Sequence, residues 1–250
     1  MTDSPVLLVT GGSRGIGAAA CLVAGRHGWR VAVNYASNET AANAVVSEIE
    51  KAGGQAIAIK GDVGNAADIV SMFEAVDKHF GRLDGLVNNA GIVDYIARVD
   101  EMSAERLERM MRINVTGSML CAGQAVRRMS TRHGGRGGAI VNISSMAAVI
   151  GGPAQYVDYA ASKAAIDTFT IGLSKEVAAE GVRVNAIRPG IIETDIHASG
   201  GQPDKPKEMA SSIPMKRTGQ AEEVADAIVY LLSPSASYIT GAILNVSGGR

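Results

Sequence analysis

Short runs of branched apolar residues alternate with longer helix-forming stretches along the whole chain, and this alternation leaves few folds open. The runs are Pro5 to Thr10, Arg30 to Tyr35, Gln55 to Lys60, Asp84 to Val87, Ala139 to Ser144, Arg183 to Ile187 and Ala242 to Val246. Their length and branching predict strands buried on both faces. Helices are expected between them: an alanine-rich stretch ending at His27, then Glu39 to Gly53, Ala66 to Phe80, Ala104 to Arg132, a helix from Gln155 or Asp158 to Glu180, and Ala221 to Leu232. Strand and helix in strict alternation give an α/β fold, with a parallel sheet covered by helices on both faces. No break in composition and no repeat marks a second domain, so residues 1–250 are expected to form a single one.

In such a sheet the ligand sits outside the carboxyl ends of the strands. The unusual loops all follow strand ends: Gly11 to Gly17, Asp62, Asn88 to Gly91, Ser144-Ser145 and Pro189-Gly190. The first reads Gly11-Gly12-Ser13-Arg14-Gly15-Ile16-Gly17 and lies between a strand and a helix start. Glycine removes the Cβ where backbone must approach a pyrophosphate, and the helix N-terminus turns free N–H groups toward it. Further on, Tyr159-Ala-Ala-Ser-Lys163 places a phenol and an ammonium one helical turn apart. Tyrosine titrates near pH ~10, and a nearby cation favours the phenolate. Bringing a phenol to neutrality takes about 4 kcal/mol. This requires a closed site and a second positive charge beside the lysine.

Composition excludes other classes. A net charge of −1 leaves no footprint for nucleic acid or an acidic membrane surface. No apolar run of the ~18 residues needed to span a bilayer occurs. The N-terminus lacks a signal peptide pattern, so a cytoplasmic protein is expected. Cys21 and Cys121 lie in apolar helical contexts and read as reduced core thiols. No side chains stand at metal-ligand spacing, so no metal site is expected.

Taken together and in order, Thr10 to Gly17, Asn88-Asn89-Ala90-Gly91, Asn114, Ser144-Ser145, Tyr159 to Lys163 and Arg188-Pro189-Gly190 with Thr194 resemble the short-chain dehydrogenase/reductase family over essentially the full length. The resemblance implies a Rossmann-type three-layer sandwich with a seven-stranded parallel sheet, nicotinamide chemistry and a homotetramer. It implies Tyr159 as general acid/base, and Lys163 as the residue that holds the nicotinamide ribose and depresses the Tyr159 pKa. Ser145 would bond the substrate oxygen, and Asn114 would hold a water linked to Lys163. The gap from Ser145 to Tyr159 is one residue longer than the family's commonest spacing, which would put Met146 in the serine's place. A longer loop at Ala148 to Gln155 accounts for this, with Ser144 as the other candidate. Tyr156 is a rival phenol without a lysine four residues on.

Cofactor contacts are expected at Gly11, Ser13, Arg14, Gly15, Ile16, Gly17, Asn34, Asp62, Val63, Asn89, Ala90, Gly91, Pro189, Gly190, Ile192 and Thr194, beside Tyr159 and Lys163. Asp62 and Val63 would flank the adenine, and Thr194 would bond the nicotinamide amide or the phosphate. NAD selection usually places an acid at the end of the second strand. Here Asn34 or Tyr35 holds that place and no acid precedes Glu39, while Arg14 supplies a cation for a 2′-phosphate. NADP is therefore expected, with NADPH preferred over NADH.

The substrate is expected to be a small carbonyl or alcohol. The resemblance is to reductases of 3-oxoacyl carrier-protein thioesters and to sugar-type dehydrogenases, which makes an acyl carrier protein a candidate partner. Arg127, Arg128, Arg132 and Arg136, with Lys175, read equally as a dock for it or as a solvated helix end. Residues 194–214, with Pro203, Pro206 and Pro214, suit a mobile substrate lid. Ile166, Phe169, Ile171 and Leu173 give one helix more apolar surface than one face needs, which favours a partner copy. A non-catalytic dinucleotide sensor is the reading from another class.

Overall fold

The structure, a computed structural model, describes residues 4–250. The chain runs β1 (Val6–Val9), α1 (Gly15–Arg26), β2 (Arg30–Tyr35), α2 (Glu39–Lys51), β3 (Gln55–Lys60), α3 (Ala66–Phe80) and β4 (Gly85–Asn88). It continues through α4 (Ala104–Met111), α5 (Ser118–Met129), β5 (Gly138–Ile143), α6 (Ala147–Ile150), α7 (Val157–Val177) and β6 (Val182–Pro189). Two short helices, α8 (Ile196–Ser199) and α9 (Lys205–Met209), precede α10 (Ala221–Leu232) and β7 (Ile243–Val246). Among the described residues the strands form one parallel seven-stranded sheet in the order β3-β2-β1-β4-β5-β6-β7.

The period of two along β1 sorts the core. Leu7 and Val9 face one layer, which α1, α2 and α10 cover with Ala20, Val45 and Ile228. Val6 and Leu8 face the other, where α3, α5 and α7 contribute Phe73, Ala125 and Val177. The chain starts mid-sheet, winds out to β3 and returns to β4 on the other side of β1. The order therefore reverses between β1 and β4, which opens a crevice at their carboxyl ends. The Rossmann-type reading and its alternation hold. No helix among the described residues is long and apolar enough to cross a membrane.

Three local differences matter for the rim. The helix expected from Ala104 to Arg132 is interrupted by a wider π turn, Arg112–Gly117, between α4 and α5. At Gly117 an added Cβ would stand 2.4 Å from the Val63 carbonyl oxygen, so the turn bears directly on the end of β3. Such turns concentrate at functional sites, and this one carries Asn114. Helix α7 begins at Val157, where Arg106 of α4 bonds the buried Asp158 carboxylate at 2.8 Å and the Tyr95 carbonyl at 2.8 Å. That clamp fixes the first turn of α7 immediately before Tyr159. Finally, residues 194–214 contain α8 and α9, and a parallel bridge between Ile192 and Gly219 ties the base of this segment.

Candidate active site

The glycine turn is built from below. Asn34, 1% exposed at the end of β2, accepts the Gly11 N–H at 3.0 Å and donates to the Gly61 carbonyl at 2.9 Å. A further contact of its amide reaches the Ile59 carbonyl at 3.3 Å. Asn34 therefore supports the turn and is not free to touch a ribose, which corrects the sequence expectation. Asn89 donates to the Thr10 and Gly11 carbonyls at 2.9 and 3.0 Å. Thr10, which sequence reasoning left out of the site, accepts the Asn89 and Ala90 N–H groups at 3.0 Å each.

The turn fits a dinucleotide on its own geometry. Gly11 and Gly15 adopt φ of +61° and +54°, in the left-handed region. A Cβ at Gly17 would lie 2.3 Å from the Gly11 oxygen and 2.5 Å from the Asn89 amide nitrogen. At the start of α1 the N–H groups from the N-cap Arg14 through Gly17 have no intrahelical partners, the first return bond being that of the Ala18 N–H to the Arg14 carbonyl. Arg14 is exposed there in extended backbone, with no side-chain cap bond. Thr194 stands across the mouth, 3.3 Å from a Cβ placed on Gly15. Asp62 is exposed beside this rim and accepts the Gly64 N–H, while Val63 is buried in the core below.

A cavity of about 150 Å³ opens at the crevice. Ile16, Asn89, Gly91, Pro189, Gly190, Ile192 and Thr194 line it together with Ser145, Tyr159 and Lys163. The two serines separate cleanly. Ser144 touches the cavity wall but is buried, and its hydroxyl is committed to the Lys163 carbonyl of α7 at 3.2 Å. Ser145 accepts the Ala147 N–H at 3.1 Å, and its hydroxyl bonds the Tyr159 hydroxyl. Of the two serines, Ser145 is therefore the one whose hydroxyl stands with Tyr159 in the cavity, and α6 and the bend at Gly151 to Ala154 lie between Ser145 and Tyr159 in the chain. Ala154 takes φ +56°, a strained value outside glycine.

Lys163 is buried and donates to the Ile143 carbonyl at 2.7 Å, with its Nζ 5.7 Å from the centre of the Tyr159 ring. Burial lowers its pKa to about 8, against an opposing pull from Asp167, which Arg188 pairs at 2.8 Å. The expected depression of the Tyr159 pKa is reversed in the protein alone. Burial pushes it up to about 12, the Ser145 bond lowers it in part, and Tyr156 adds to the rise. Desolvation of the buried phenol is the dominant cause.

Asn114 does not hold local backbone. Its amide takes the Ile92 N–H at 2.8 Å and donates to the Ile92 carbonyl at 2.9 Å and to Ser162 at 3.1 Å. It thereby ties the loop after β4 to α7, close to Gly91. Tyr156, the rival phenol, has a lysine after all. Lys205 of α9 reaches its hydroxyl at 2.9 Å. Part of the basic group is engaged in ion pairs. Arg128 bonds Asp77 and Arg132 lies 3.8 Å from Glu180, both near the amino end of β5, whereas Ser145 follows its carboxyl end.

A parallel sheet with a phosphate-fitting turn at its switch point, and a serine, tyrosine and lysine converging in the adjoining cavity, defines a dinucleotide-dependent oxidoreductase. The model of the family described as enoyl-(acyl carrier protein) reductase matches residues 11–250. An Escherichia coli protein described as an uncharacterized oxidoreductase, YgfF, is 53% identical over 98% of this chain and 99% of its own length. A 3-oxoacyl-(acyl-carrier-protein) reductase of Synechocystis is 42% identical over 98% of this chain and 96% of its own. A solved short-chain dehydrogenase/reductase of Serratia marcescens, a double mutant, superposes with TM-score 0.89 at 35% identity, covering 98% of this chain and 97% of that one. The chain belongs to the short-chain dehydrogenase/reductase family and is an enzyme.

Proposed function

We propose that the protein transfers hydride between NADP(H) and a carbonyl or secondary alcohol, with the cofactor supplying the hydride when bound. The observation that carries this reading is the meeting of the Ser145 and Tyr159 hydroxyls in a cavity that the glycine turn adjoins. In reduction, Ser145 donates to the substrate oxygen and Tyr159 delivers a proton to the same atom. Lys163 would hold the ribose hydroxyls, and its charge, with that of an oxidised nicotinamide ring, would bring Tyr159 down from its elevated pKa. Asn114 would seat a water on the proton path behind Lys163. The Tyr159→Phe experiment argued in the Discussion tests the whole assignment.

The preference for NADPH is supported by Arg14, exposed at the turn, and by the lack of a carboxylate at the end of β2 before Glu39. Asp62 and Val63 would flank the adenine. A charge-assisted hydrogen bond contributes about 1.5–3 kcal/mol. Arg14→Ala is therefore expected to reduce the NADPH-to-NADH ratio of kcat/KM by about 10- to 100-fold. Equal effects on the two cofactors in steady-state kinetics would refute the choice.

The substrate class has a second reading in 3-oxoacyl thioesters, supported by the name of the Synechocystis relative. Activity with acetoacetyl thioesters but not with simple ketones or sugar lactones would favour it. NADPH binding without turnover on any of these would favour a sensor. Cytoplasmic residence suits the two unpaired, buried thiols. Assembly into a homotetramer is supported by apolar residues open on α5 and α7, namely Met119, Leu120 and Ile171, and on the α10 and β7 side, Tyr230 and Leu244. The expected mass by light scattering is four times 25.8 kDa; a clean monomer would overturn the tetramer. Residues 194–214 would act as the lid over the cavity.

A further inference from the structure

We propose that Lys205 and Tyr156 form a second polar anchor in the substrate cavity, suited to a carboxylate carried by the carbonyl substrate; this deepens the reductase reading above and rests on it. Lys205 opens α9, and its ammonium bonds the Tyr156 hydroxyl at 2.9 Å and the Gln155 side-chain oxygen at 3.3 Å. It also stands 4.4 Å from the centre of the Tyr156 ring. Every one of these partners is neutral, and among the described residues no carboxylate lies within ion-pair distance of Lys205.

The placement is directed at the chemistry. The Tyr156 ring meets the Tyr159 ring edge-on at 5.9 Å, so the ammonium lies one ring beyond the phenol that faces the substrate oxygen. Both Tyr156 and Lys205 line the cavity. The loop that presents Tyr156 is bent to do so. Gly152 takes φ +58°, and a Cβ there would stand 2.7 Å from the Tyr156 ring.

Charge supports an anion. The cavity walls carry the ammonium groups of Lys163 and Lys205 against one side-chain carboxylate, Asp94, which faces Arg109 at 3.6 Å. The Tyr156 oxygen accepts from Lys205, which leaves its own proton to donate. An ammonium beside a free O–H offers two adjacent donors to the two oxygens of a carboxylate.

The test uses the whole enzyme with NADPH and two matched pairs, 4-carboxybenzaldehyde with its methyl ester and 4-oxopentanoate with its methyl ester. The acids are expected to exceed their esters in kcat/KM by at least tenfold, Lys205→Met to reduce that ratio tenfold or more, and Lys205→Arg to retain it. A ratio unchanged in Lys205→Met, or a wild-type preference for the esters, would overturn the anchor. Calorimetric titration with terephthalate, which cannot be reduced, reads the anchor without turnover. It should bind at least tenfold more weakly to Lys205→Met than to the wild type, and equal binding overturns the proposal. If that difference appears while neither pair is turned over, the reductase reading fails and the anchor stands.

Discussion

Replacing Tyr159 by phenylalanine is expected to lower kcat for NADPH-dependent ketone reduction by about 10²–10⁴-fold, the range that positioned proton transfer contributes. The fold should survive. The lost hydroxyl bonds Ser145, which keeps its contact with the Ala147 N–H, so no buried backbone group loses its partner. The ring, packed edge-on against Tyr156, is retained. Binding of NADPH should persist, because the phosphate turn and Arg14 lie on α1 and not on α7. The same variant identifies the phenol. Burial holds the free-protein Tyr159 near 12, above the ordinary 10.0. The phenolate absorbance that Tyr159→Phe removes should therefore appear only as pH approaches 12, and saturating NADP⁺ should move it to lower pH. A raised phenol pKa contributes stability below about pH 10 and loses it as pH rises toward 12. Full activity in the variant would remove Tyr159 from the proton path, whereas a phenolate already present at neutral pH without cofactor would overturn only the raised pKa.

The sheet was legible because its determinants are local. Branched runs at strand length and glycine after the first of them specify β1, the turn and α1 with little outside help, and the order of rim loops follows from parallel topology. Tyr159 and Lys163 were legible because one helical turn separates them. The interactions that escaped are those whose partners are remote in sequence or whose sign depends on burial. Asn34 reads as a ribose contact until Gly11 and Gly61 are seen to occupy its amide. Nothing near Tyr156 points to Lys205, 49 residues on. The direction of the Tyr159 pKa hinged on whether the ammonium or desolvation dominates, and burial of the phenol, visible only in the folded chain, decides it. The arginines before β5 form a basic group by composition, but the sequence does not show that Arg128 and Arg132 face Asp77 and Glu180. The π turn at Asn114 was hidden because its close neighbour is remote in sequence: the Val63 carbonyl, in the loop after β3, stands against Gly117.

Lys163→Met is expected to abolish most activity without destabilising the protein, a divergence that separates a functional cation from a structural one. Removal of one preorganised charged donor from a closed site costs about 10²–10³ in kcat. Stability has the opposite logic. The Lys163 pKa falls from 10.5 to about 8, so between those values the unfolded chain holds more protons than the folded one, and stability rises with pH across that window. Below about pH 8 the folded protein carries the full penalty of a buried ammonium, about 3 kcal/mol at 1.36 kcal/mol per pKa unit. Methionine, similar in length and without charge, removes that penalty. It leaves the Ile143 carbonyl without its donor, at about 1–3 kcal/mol. The two terms nearly offset, so urea unfolding at pH 7 should give a stability equal to the wild type or up to about 2 kcal/mol higher. The gain that the wild type shows from pH 8 toward 10.5 should vanish in the variant. A loss of more than about 2 kcal/mol at pH 7 would mean that the ammonium is a net structural contributor, with its bond to Ile143 outweighing its desolvation.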